Sequence, residues 1–219
     1  MSGILFIISA PSGSGKSTLV TQLRTLVEGL DFSISYTTRA PRGSEENGRE
    51  YHFTSREEFE RMVAAGDFLE WAEVFGNYYG TAVSALGHAK AAGKDLLLDI
   101  DVQGALQVMK KLPEAVSIFI LPPSPEVLEM RLRNRSEAEH MTSEAVIEGR
   151  LAEARNELKR LTEYKYALVN DVLDQAVAEM RAIVLFERGV RDGVQAMAAS
   201  CRTDAASPRL SSALGTFGG

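Results

Sequence analysis

The sequence has 219 residues, of which 45% are hydrophobic and 25% are charged, and its formal net charge is -6. These values are ordinary for a globular chain that buries a core, and they exclude a fibrous or wholly disordered protein. The acidic balance argues against general nucleic-acid binding, which requires a basic face, but a few converging arginines can still hold a small phosphorylated ligand.

The first predicted elements are a strand, a glycine-rich turn and a helix. Residues 4–9 are continuously apolar and rich in β-branched side chains, the pattern of a strand buried on both faces. The turn covers residues 11–15, and residues 16–28 carry apolar side chains at helical spacing. This order is typical of the opening of a βαβ unit.

Strands and helices continue to alternate along most of the chain. The predicted strands are 95–101, 116–121 and 166–170, and the predicted helices are 83–92, 104–111, 124–134, 143–162 and 172–188. Such alternation predicts an α/β fold whose parallel sheet is covered by helices on both faces.

Two segments depart from this alternation. Residues 33–79 contain the short alternating stretches 33–38, 50–53 and 69–74, a Pro-Arg-Gly turn and one helix near 56–65. They predict an inserted, mainly antiparallel subdomain. Residues 198–219 contain twelve Ala, Ser or Gly among twenty-two residues, which predicts a disordered tail from about residue 198.

The expected cellular compartment of the protein follows from its cysteine content and hydropathy. The single cysteine, Cys201, cannot form an intrachain disulfide, which fits a reducing compartment. No apolar run approaches the roughly 20 residues that cross a membrane, and no basic residue precedes the first apolar run. We therefore expect a cytoplasmic protein without membrane or nucleic-acid partners. The sequence is compatible with a monomer or a homo-oligomer.

The glycine-rich turn is close to the phosphate-binding P-loop pattern, with alanine at the first glycine position. In this pattern backbone N–H groups and a helix N-terminus surround phosphate oxygens, a lysine reaches the outer phosphates, and a hydroxyl is a ligand of Mg²⁺. The turn could also bind nothing, but its place between a buried strand and an amphipathic helix favours nucleotide binding. The predicted ATP-binding residues here are Ala10, Pro11, Ser12, Gly13, Ser14, Gly15, Lys16, Ser17 and Thr18.

Five further segments resemble the signature of the guanylate kinase family. They are Ser-Tyr-Thr-Thr-Arg-Ala-Pro-Arg at 35–42, Asn-Gly-Arg-Glu-Tyr at 47–51, Phe-Leu-Glu-Trp-Ala at 68–72, Gly-Asn-Tyr-Tyr-Gly-Thr at 76–81 and Asp-Ile-Asp-Val-Gln-Gly at 99–104. The resemblance runs from about residue 3 to residue 188. It implies a P-loop NTPase fold with a core (1–33, 82–125 and 151–188), a GMP-binding insertion (34–81) and a helical lid (126–150), followed by a tail (189–219).

The resemblance also implies an activity, the transfer of the γ-phosphoryl group of ATP to GMP. Its GMP-binding residues match Ser35, Arg39, Arg42, Tyr51 and Tyr79 at the phosphate, Glu70 and Thr81 at guanine, and Asp99 with a supporting Asp101. Arginine and phenol donors suit a dianionic phosphate. An ionised carboxylate accepts the adjacent N–H donors of guanine, whereas adenine presents an acceptor there.

The catalytic residues that the resemblance implies are cationic. They are Lys16, Arg39, Arg131, Arg135 and Arg150, with Asn170 in the adenine site and Ser17 and Asp99 as ligands of a Mg²⁺ cofactor. Arg131 and Arg135 are four residues apart and so share one helix face. With GMP and ATP as the expected partners, these cations would neutralise charge on the transferring group.

Other interpretations remain open for single residues and for the whole chain. Arg39 and Arg42 could be ordinary solvated charges. Because neighbouring strand residues face opposite ways, we expect Tyr79 to bind ligand and Tyr78 to pack or to make a secondary contact. The chain could be a non-catalytic guanylate-kinase-like binding module, a kinase for another nucleoside monophosphate, or a kinase for a ribose bisphosphate. The P-loop and lid arginines argue against the first, and the Glu70–Thr81 pair argues against the others.

Overall fold

The fold was examined in a computed structural model, which describes residues 3–138, 143–205 and 207–217. The chain divides into two compact units, one of Met1–Ile7 and Gly29–Ala115 and the other of Ile8–Glu28 and Val116–Gly219. In chain order the elements are β1 (Leu5–Ser9), α1 (Lys16–Leu26), β2 (Leu30–Phe32), β3 (Tyr36–Thr37), β4 (His52–Phe53), α2 (Arg56–Ala65), β5 (Phe68–Val74), β6 (Asn77–Ala82), α3 (Val83–Ala91), β7 (Asp95–Asp99), α4 (Val102–Lys111), β8 (Val116–Leu121), α5 (Pro125–Ala138), α6 (Glu144–Leu158), β9 (Tyr166–Val169), α7 (Leu173–Glu187), α8 (Gln195–Ser200) and α9 (Pro208–Phe217).

A five-stranded sheet with the strand order β2-β7-β1-β8-β9 forms the core. In the first unit β2 pairs in parallel with β7, and in the second unit β8 pairs in parallel with β9. Every residue of β1, β8 and β9 is buried. This burial explains why those strands read as continuous apolar runs, and it confirms the predicted parallel α/β core.

A second sheet, in the order β4-β3-β6-β5, lies within the first unit. Both β3 and β5 pair antiparallel with β6, whereas β3 and β4 pair in parallel. The sheet is therefore mainly antiparallel, as predicted. The longest hairpin, β5–β6, turns at Phe75 and Gly76, which both have positive φ angles (49° and 79°).

Several predicted boundaries were wrong. Strand β7 ends at Asp99 rather than residue 101, and α4 begins at Val102 rather than residue 104, because the Asp101 carboxylate caps the helix by accepting from the Gly104 amide at 2.9 Å. The predictions also omitted β2, and they gave no bounds for β6 although they treat Tyr78 and Tyr79 as strand residues. Only three residues long and half-buried, β2 gives a weak signal.

The second unit contains two long helices in the predicted lid region. Helix α5 extends to Ala138, four residues beyond its predicted end, and α6 ends at Leu158, ahead of a single 3₁₀ turn at Leu161–Glu163. Residues 139–142 of the predicted lid lie outside the described residues. Within the described part of the chain, no helix has the length and apolar character needed to cross a membrane.

The predicted disorder from about residue 198 is wrong for the described part of the tail. Residues 195–200 and 208–217 form α8 and α9, and Ala198, Cys201, Leu210 and Ala213 are buried. The backbone between these helices is hydrogen-bonded to β9, because the Ala167 amide donates to the Cys201 carbonyl at 2.7 Å. Small residues lower the apparent hydrophobicity of this segment, yet they allow close packing.

We expect Cys201 to be nearly unreactive toward a thiol reagent such as DTNB in the folded chain, and reactive after denaturation. Its side chain is 3% exposed, and burial raises the pKa of the thiol to about 12, so the nucleophilic thiolate is scarce. The rate of DTNB modification with and without denaturant measures this directly. Equal rates in the two conditions would mean that the C-terminal segment is not folded in solution.

Candidate active site

The predicted phosphate loop lies in the second unit, between β1 and α1. Gly13 and Gly15 have φ angles of 89° and 82°, a left-handed conformation that L side chains rarely adopt. The Ser14 amide donates to the Pro11 carbonyl at 3.1 Å, which closes a turn over residues 11–14. Gly15 then directly precedes the first turn of α1, which carries Lys16 and Ser17. The two glycines thus give the loop a backbone suited to surrounding an anion.

Alanine at the first glycine position of the motif has a simple explanation. Ala10 is 7% exposed and is not among the described residues with positive φ. Its backbone therefore needs no glycine, and its methyl group packs in the core.

Arginines of α5 hydrogen-bond to this loop, also within the second unit. Arg131 Nη1 donates to the Ser14 carbonyl at 3.3 Å, and Arg135 Nη1 contacts Ser12 Oγ at 3.5 Å. Their four-residue spacing therefore places both guanidinium groups on the P-loop. Arg150, on α6, is 4% exposed and donates to Ser136 Oγ of α5 at 3.0 Å. Four of the five predicted catalytic cations thus lie in this unit: Lys16 on the loop, Arg131 and Arg135 in contact with it, and Arg150 in contact with α5.

Asn170 is a structural partner of the same loop. It follows β9 directly, is 6% exposed, and its Nδ2 atom donates to the Ser14 carbonyl at 2.8 Å. Its own carbonyl accepts from Arg131 Nη2 at 3.2 Å. Asn170 therefore holds the turn at Ser14 and Gly15, in addition to its predicted place in the adenine site.

A cationic and aromatic cluster lies in the first unit, where three predicted phosphate ligands come together. Arg39 is buried, with its guanidinium carbon 5.3 Å from the centre of the Tyr51 ring. The Tyr51 and Tyr79 rings lie 5.9 Å apart. Burial, followed by the negative potential of Tyr79 and Asp99, raises the pKa of Tyr51, so its hydroxyl stays a donor at neutral pH.

The other two predicted phosphate ligands lie nearer the surface. The Arg42 side chain is exposed and Ser35 is half-buried, with its carbonyl accepting from the His52 amide at 2.9 Å. Tyr78 packs against Phe59 and Trp71, with ring centres 5.4 and 5.6 Å away. This confirms the prediction that Tyr78 is a packing residue.

Glu45 balances the charge of this cluster and was missed by sequence reasoning. Its carboxylate accepts from Arg39 Nη2 at 3.0 Å and from the Arg42 amide at 2.8 Å. Burial alone would lower the pKa of Arg39, but Glu45 and Tyr79 outweigh it and raise that pKa. The signal available in the sequence was an acidic residue three positions after Arg42 in a proline–glycine turn.

The predicted base-reading pair is buried in the first unit. Glu70 on β5 and Thr81 on β6 are paired across the hairpin, and they are 2% and 1% exposed. Burial raises the pKa of Glu70 to about 7. The neighbouring Thr81 lowers it, the charge of Asp101 raises it, and the charge of Lys111 lowers it. A buried carboxylate whose pKa lies near neutrality is a common feature of ligand sites.

The remaining acidic residues lie where β7 meets α4. Asp99 is the last residue of the strand, and Asp101 is fixed as the cap of α4. The carboxyl ends of parallel strands are where α/β sheets present ligand-binding groups. Asp101 therefore has a structural role as a helix cap, and its supporting role at the GMP site stays a prediction.

The residues proposed to contact Mg²⁺ fit what that ion accepts, which is few protein oxygens beside phosphate oxygens and water. Ser17 offers an exposed hydroxyl on the first turn of α1, and Asp99 a half-buried carboxylate at the end of β7. Within the described residues, no three His, Cys, Asp or Glu side chains cluster in a way that could hold a metal ion on their own.

Comparisons with known proteins agree with this arrangement. A family model described as guanylate kinase matches residues 2–187. The guanylate kinase of Koribacter versatilis is 60% identical over 89% of this chain and 83% of its own length, and that of Dechloromonas aromatica is 50% identical over 84% and 89%. The chain belongs to the guanylate kinase family.

A solved structure supports the same conclusion. The crystal structure of guanylate kinase from Anaplasma phagocytophilum matches with a TM-score of 0.70 and 33% identity, covering 87% of this chain and 88% of that one. Family membership confirms the predicted P-loop NTPase fold and the predicted enzyme class, an ATP:GMP phosphotransferase. The roles of individual residues stay predictions.

Gly104 is a further site residue, because it makes room for the Glu70 carboxylate. A Cβ atom at this position would lie 2.3 Å from Glu70 Oε2 and 3.0 Å from Glu70 Cδ. Gly104 was part of a quoted motif, but its role cannot be read from the sequence, since Glu70 lies on another element.

We expect Gly104→Ala to raise the KM for GMP about tenfold and to leave the KM for ATP unchanged, because the methyl group displaces a buried carboxylate by an ångström or more. Steady-state kinetics with each nucleotide varied in turn measures both values. The matched control is Gly87→Ala on α3, where an added Cβ meets nothing within 4 Å. Equal GMP kinetics in the two variants would contradict the steric role.

Proposed function

We propose that this chain transfers the γ-phosphoryl group of ATP to GMP, giving ADP and GDP, by direct in-line transfer. The observation that carries the proposal is the buried Glu70–Thr81 pair, which lies in the same unit as the Arg39, Tyr51 and Tyr79 cluster. One feature suits the Watson–Crick edge of guanine and the other suits a phosphate monoester. GMP is the nucleotide that presents both.

The protein's part in the reaction is alignment and neutralisation of charge, since direct transfer needs no covalent intermediate. An oxygen of the GMP phosphate attacks the γ-phosphorus while the bond to the ADP oxygen breaks. Lys16, Arg131, Arg135 and Arg150 are the cations that we assign to the ATP phosphates. Arg131 and Arg135 already contact loop oxygens at 3.3 and 3.5 Å, so modest side-chain rotations bring them to a bound polyphosphate.

The GMP phosphate is assigned to Arg39, Tyr51 and Tyr79, with Arg42 and Ser35 completing the set. Ser17 and Asp99 would hold Mg²⁺, which supplies positive charge at the phosphate oxygens when it is bound. Thr18, the first exposed hydroxyl after Ser17, and Asn170 complete the ATP-binding residues. A cytoplasmic location stays a prediction from the single cysteine.

The test is a coupled ADP-release assay with ATP and Mg²⁺, in which GMP, AMP, CMP and UMP are offered in parallel. We expect turnover with GMP and background rates with the other three, because only guanine presents adjacent N–H donors to Glu70. Turnover with another monophosphate would indicate a different nucleotide kinase. Binding of GMP by folded protein without any turnover would indicate a non-catalytic binding module.

A further inference from the structure

The C-terminal helix α9 contacts the ends of elements that carry the phosphate loop. It spans Pro208–Phe217 and lies beyond the residues 2–187 that the family model matches. All of its contacts described below lie within the second unit. They occur at its two ends, through Arg209 and through Phe217.

Arg209 hydrogen-bonds to the residues on both sides of Asn170. Its Nη2 atom donates to the Val169 carbonyl at 2.8 Å, and its Nε atom donates to the Asp171 carboxylate at 3.3 Å. It also forms ion pairs with Asp171 and with Glu179 of α7, whose side chain is only 10% exposed. A planar guanidinium can serve these acceptors at once, whereas a lysine ammonium is a single point charge.

The residue between these anchors is the one that holds the loop. Asn170 donates to the Ser14 carbonyl at 2.8 Å, and a Cβ atom on Gly15 would lie 2.4 Å from Asn170 Nδ2. The Asn170 side chain thus fits against the loop with no spare room. A shift at the end of β9 therefore passes directly to the backbone around Ser14 and Gly15.

Phe217 makes a second connection from the other end of the helix. It packs against a cluster that includes Leu128 and Leu132 of α5. A Cβ atom on Gly13 would lie 3.1 Å from Leu132 and 3.2 Å from Leu128, so the same leucines touch the loop. Each end of α9 therefore contacts residues next to the P-loop: residues 169 and 171 at one end, and Leu128 and Leu132 at the other.

We propose that Arg209 is a positioning residue for the ATP site, which fixes the end of β9 and, through Asn170, the conformation of the P-loop. The inference rests on the proposed role of that loop in ATP binding. Arg209 itself contacts no substrate in this scheme. Its loss lowers the affinity for ATP, because the loop then spends less time in the binding conformation.

The test compares Arg209→Ala and Arg209→Lys with the unchanged chain and with a control, Arg202→Ala. Arg202 lies in the same C-terminal segment, pairs with Asp204, which is 66% exposed, and contacts Tyr166 at the opposite end of β9 from Asn170. Isothermal titration with a non-hydrolysable ATP analogue gives the affinity without needing turnover, and steady-state kinetics give the two KM values.

We expect Arg209→Ala to weaken the ATP analogue and to raise the KM for ATP, each about tenfold, with no change in the KM for GMP. Arg209→Lys should lie between Arg209→Ala and the unchanged chain, and Arg202→Ala should match the unchanged chain. A merely structural role predicts a lower melting temperature and a lower active fraction with unchanged affinity for the analogue. That result in folded Arg209→Ala protein overturns the proposal.

Removing Arg209 leaves Glu179 buried without its main cationic partner, so Arg209→Ala could fail to fold. Asp171→Asn then replaces it, because the substitution keeps the side-chain size and weakens the pair with Arg209, while the amide oxygen of asparagine can still accept from the Val172 amide. An ATP-specific loss of affinity in Asp171→Asn supports the proposal, and none overturns it.

The analogue titration also separates this proposal from the proposed function. An unchanged chain that binds the analogue but does not phosphorylate GMP overturns the proposed function, and the variants still decide the role of Arg209. An unchanged chain that does not bind the analogue overturns both.

Discussion

Replacing Lys16 with methionine is expected to lower turnover of GMP at least ~10³-fold and to leave GMP binding unchanged. Methionine has a similar length but no charge, so the variant removes a cation from the first turn of α1 without opening a cavity there. The residues assigned to GMP belong to the other compact unit, in 29–115, and do not include Lys16. Turnover is measured by ADP release, and GMP binding by titration.

The matched control for this prediction is Lys159→Met. Lys159 is an exposed lysine of the same unit, and its ammonium group donates to Asn156 Oδ1 at 3.0 Å. It should retain full activity. Near-normal turnover in Lys16→Met protein would remove the P-loop lysine from the mechanism, whereas loss of GMP binding would show a more general structural effect.

Replacing Glu70 with glutamine is expected to raise the KM for GMP about 10²-fold or more, with the KM for ATP unchanged. Glutamine keeps the size of the side chain but replaces one acceptor oxygen with an N–H donor. That donor then faces the donors of guanine at a buried position, since Glu70 is 2% exposed. Glu73→Gln on the same strand is the control, since Glu73 is exposed.

The raised pKa of Glu70 gives this prediction a pH dependence. Below a pKa of about 7 the carboxyl group of the free enzyme is protonated and cannot accept from both guanine N–H groups. The KM for GMP should therefore rise as pH falls through this value in the unchanged chain. Glu70→Gln should lack that step, which separates it from titration of the GMP phosphate itself.

The raised pKa of Glu70 also predicts how stability depends on pH, in the opposite direction to GMP binding. Burial favours the protonated form, since the folded pKa is about 7 against an ordinary value of 4.5. The folded state thus gains stability that is fully present below pH 4.5 and is lost as pH rises through 7. Glutamine has no carboxyl group to ionise, so the Glu70→Gln variant does not lose this stability as pH rises.

The stability of Glu70→Gln relative to the unchanged chain should therefore increase by about 3 kcal/mol between about pH 4.5 and 8. Denaturant unfolding at several pH values measures the difference. A difference that does not change with pH would mean that Glu70 ionises normally. Together with the kinetics, the increase would show that the chain gives up stability at neutral pH to keep a carboxylate in a buried site.

Much of the fold could be predicted because it depends on local patterns. Strands β1, β8 and β9 are buried on both faces and so read as apolar runs, and Gly13 and Gly15 occur where the backbone needs positive φ. The cluster around Arg39 was predicted only as a set of ligands, through the resemblance. Its geometry depends on β3 and β6 pairing across more than forty residues of sequence, as in Thr37 with Tyr79.

The features that could not be predicted depend on contacts distant in sequence. Helix α9 is anchored in part by Arg209, whose acceptors lie about thirty to forty residues earlier, on α7 and at the end of β9. Composition alone therefore suggested disorder. Gly104 likewise has a role only because Glu70, on another strand, occupies the space of its missing side chain. No local pattern carries either kind of information.

The ion pair between Arg39 and Glu45 means that the cluster of Arg39, Tyr51 and Tyr79, which we propose binds the GMP phosphate, carries its own counterion. The two side chains are 9% and 23% exposed, so dissolved salt screens them little. An incoming phosphate would compete with the Glu45 carboxylate for the Arg39 guanidinium instead of with a loosely held ion from solution. Singly charged anions such as chloride then compete poorly, because they cannot replace what the carboxylate already provides. Recognition of the phosphate by this cluster is therefore an exchange reaction, and it should depend only weakly on ionic strength.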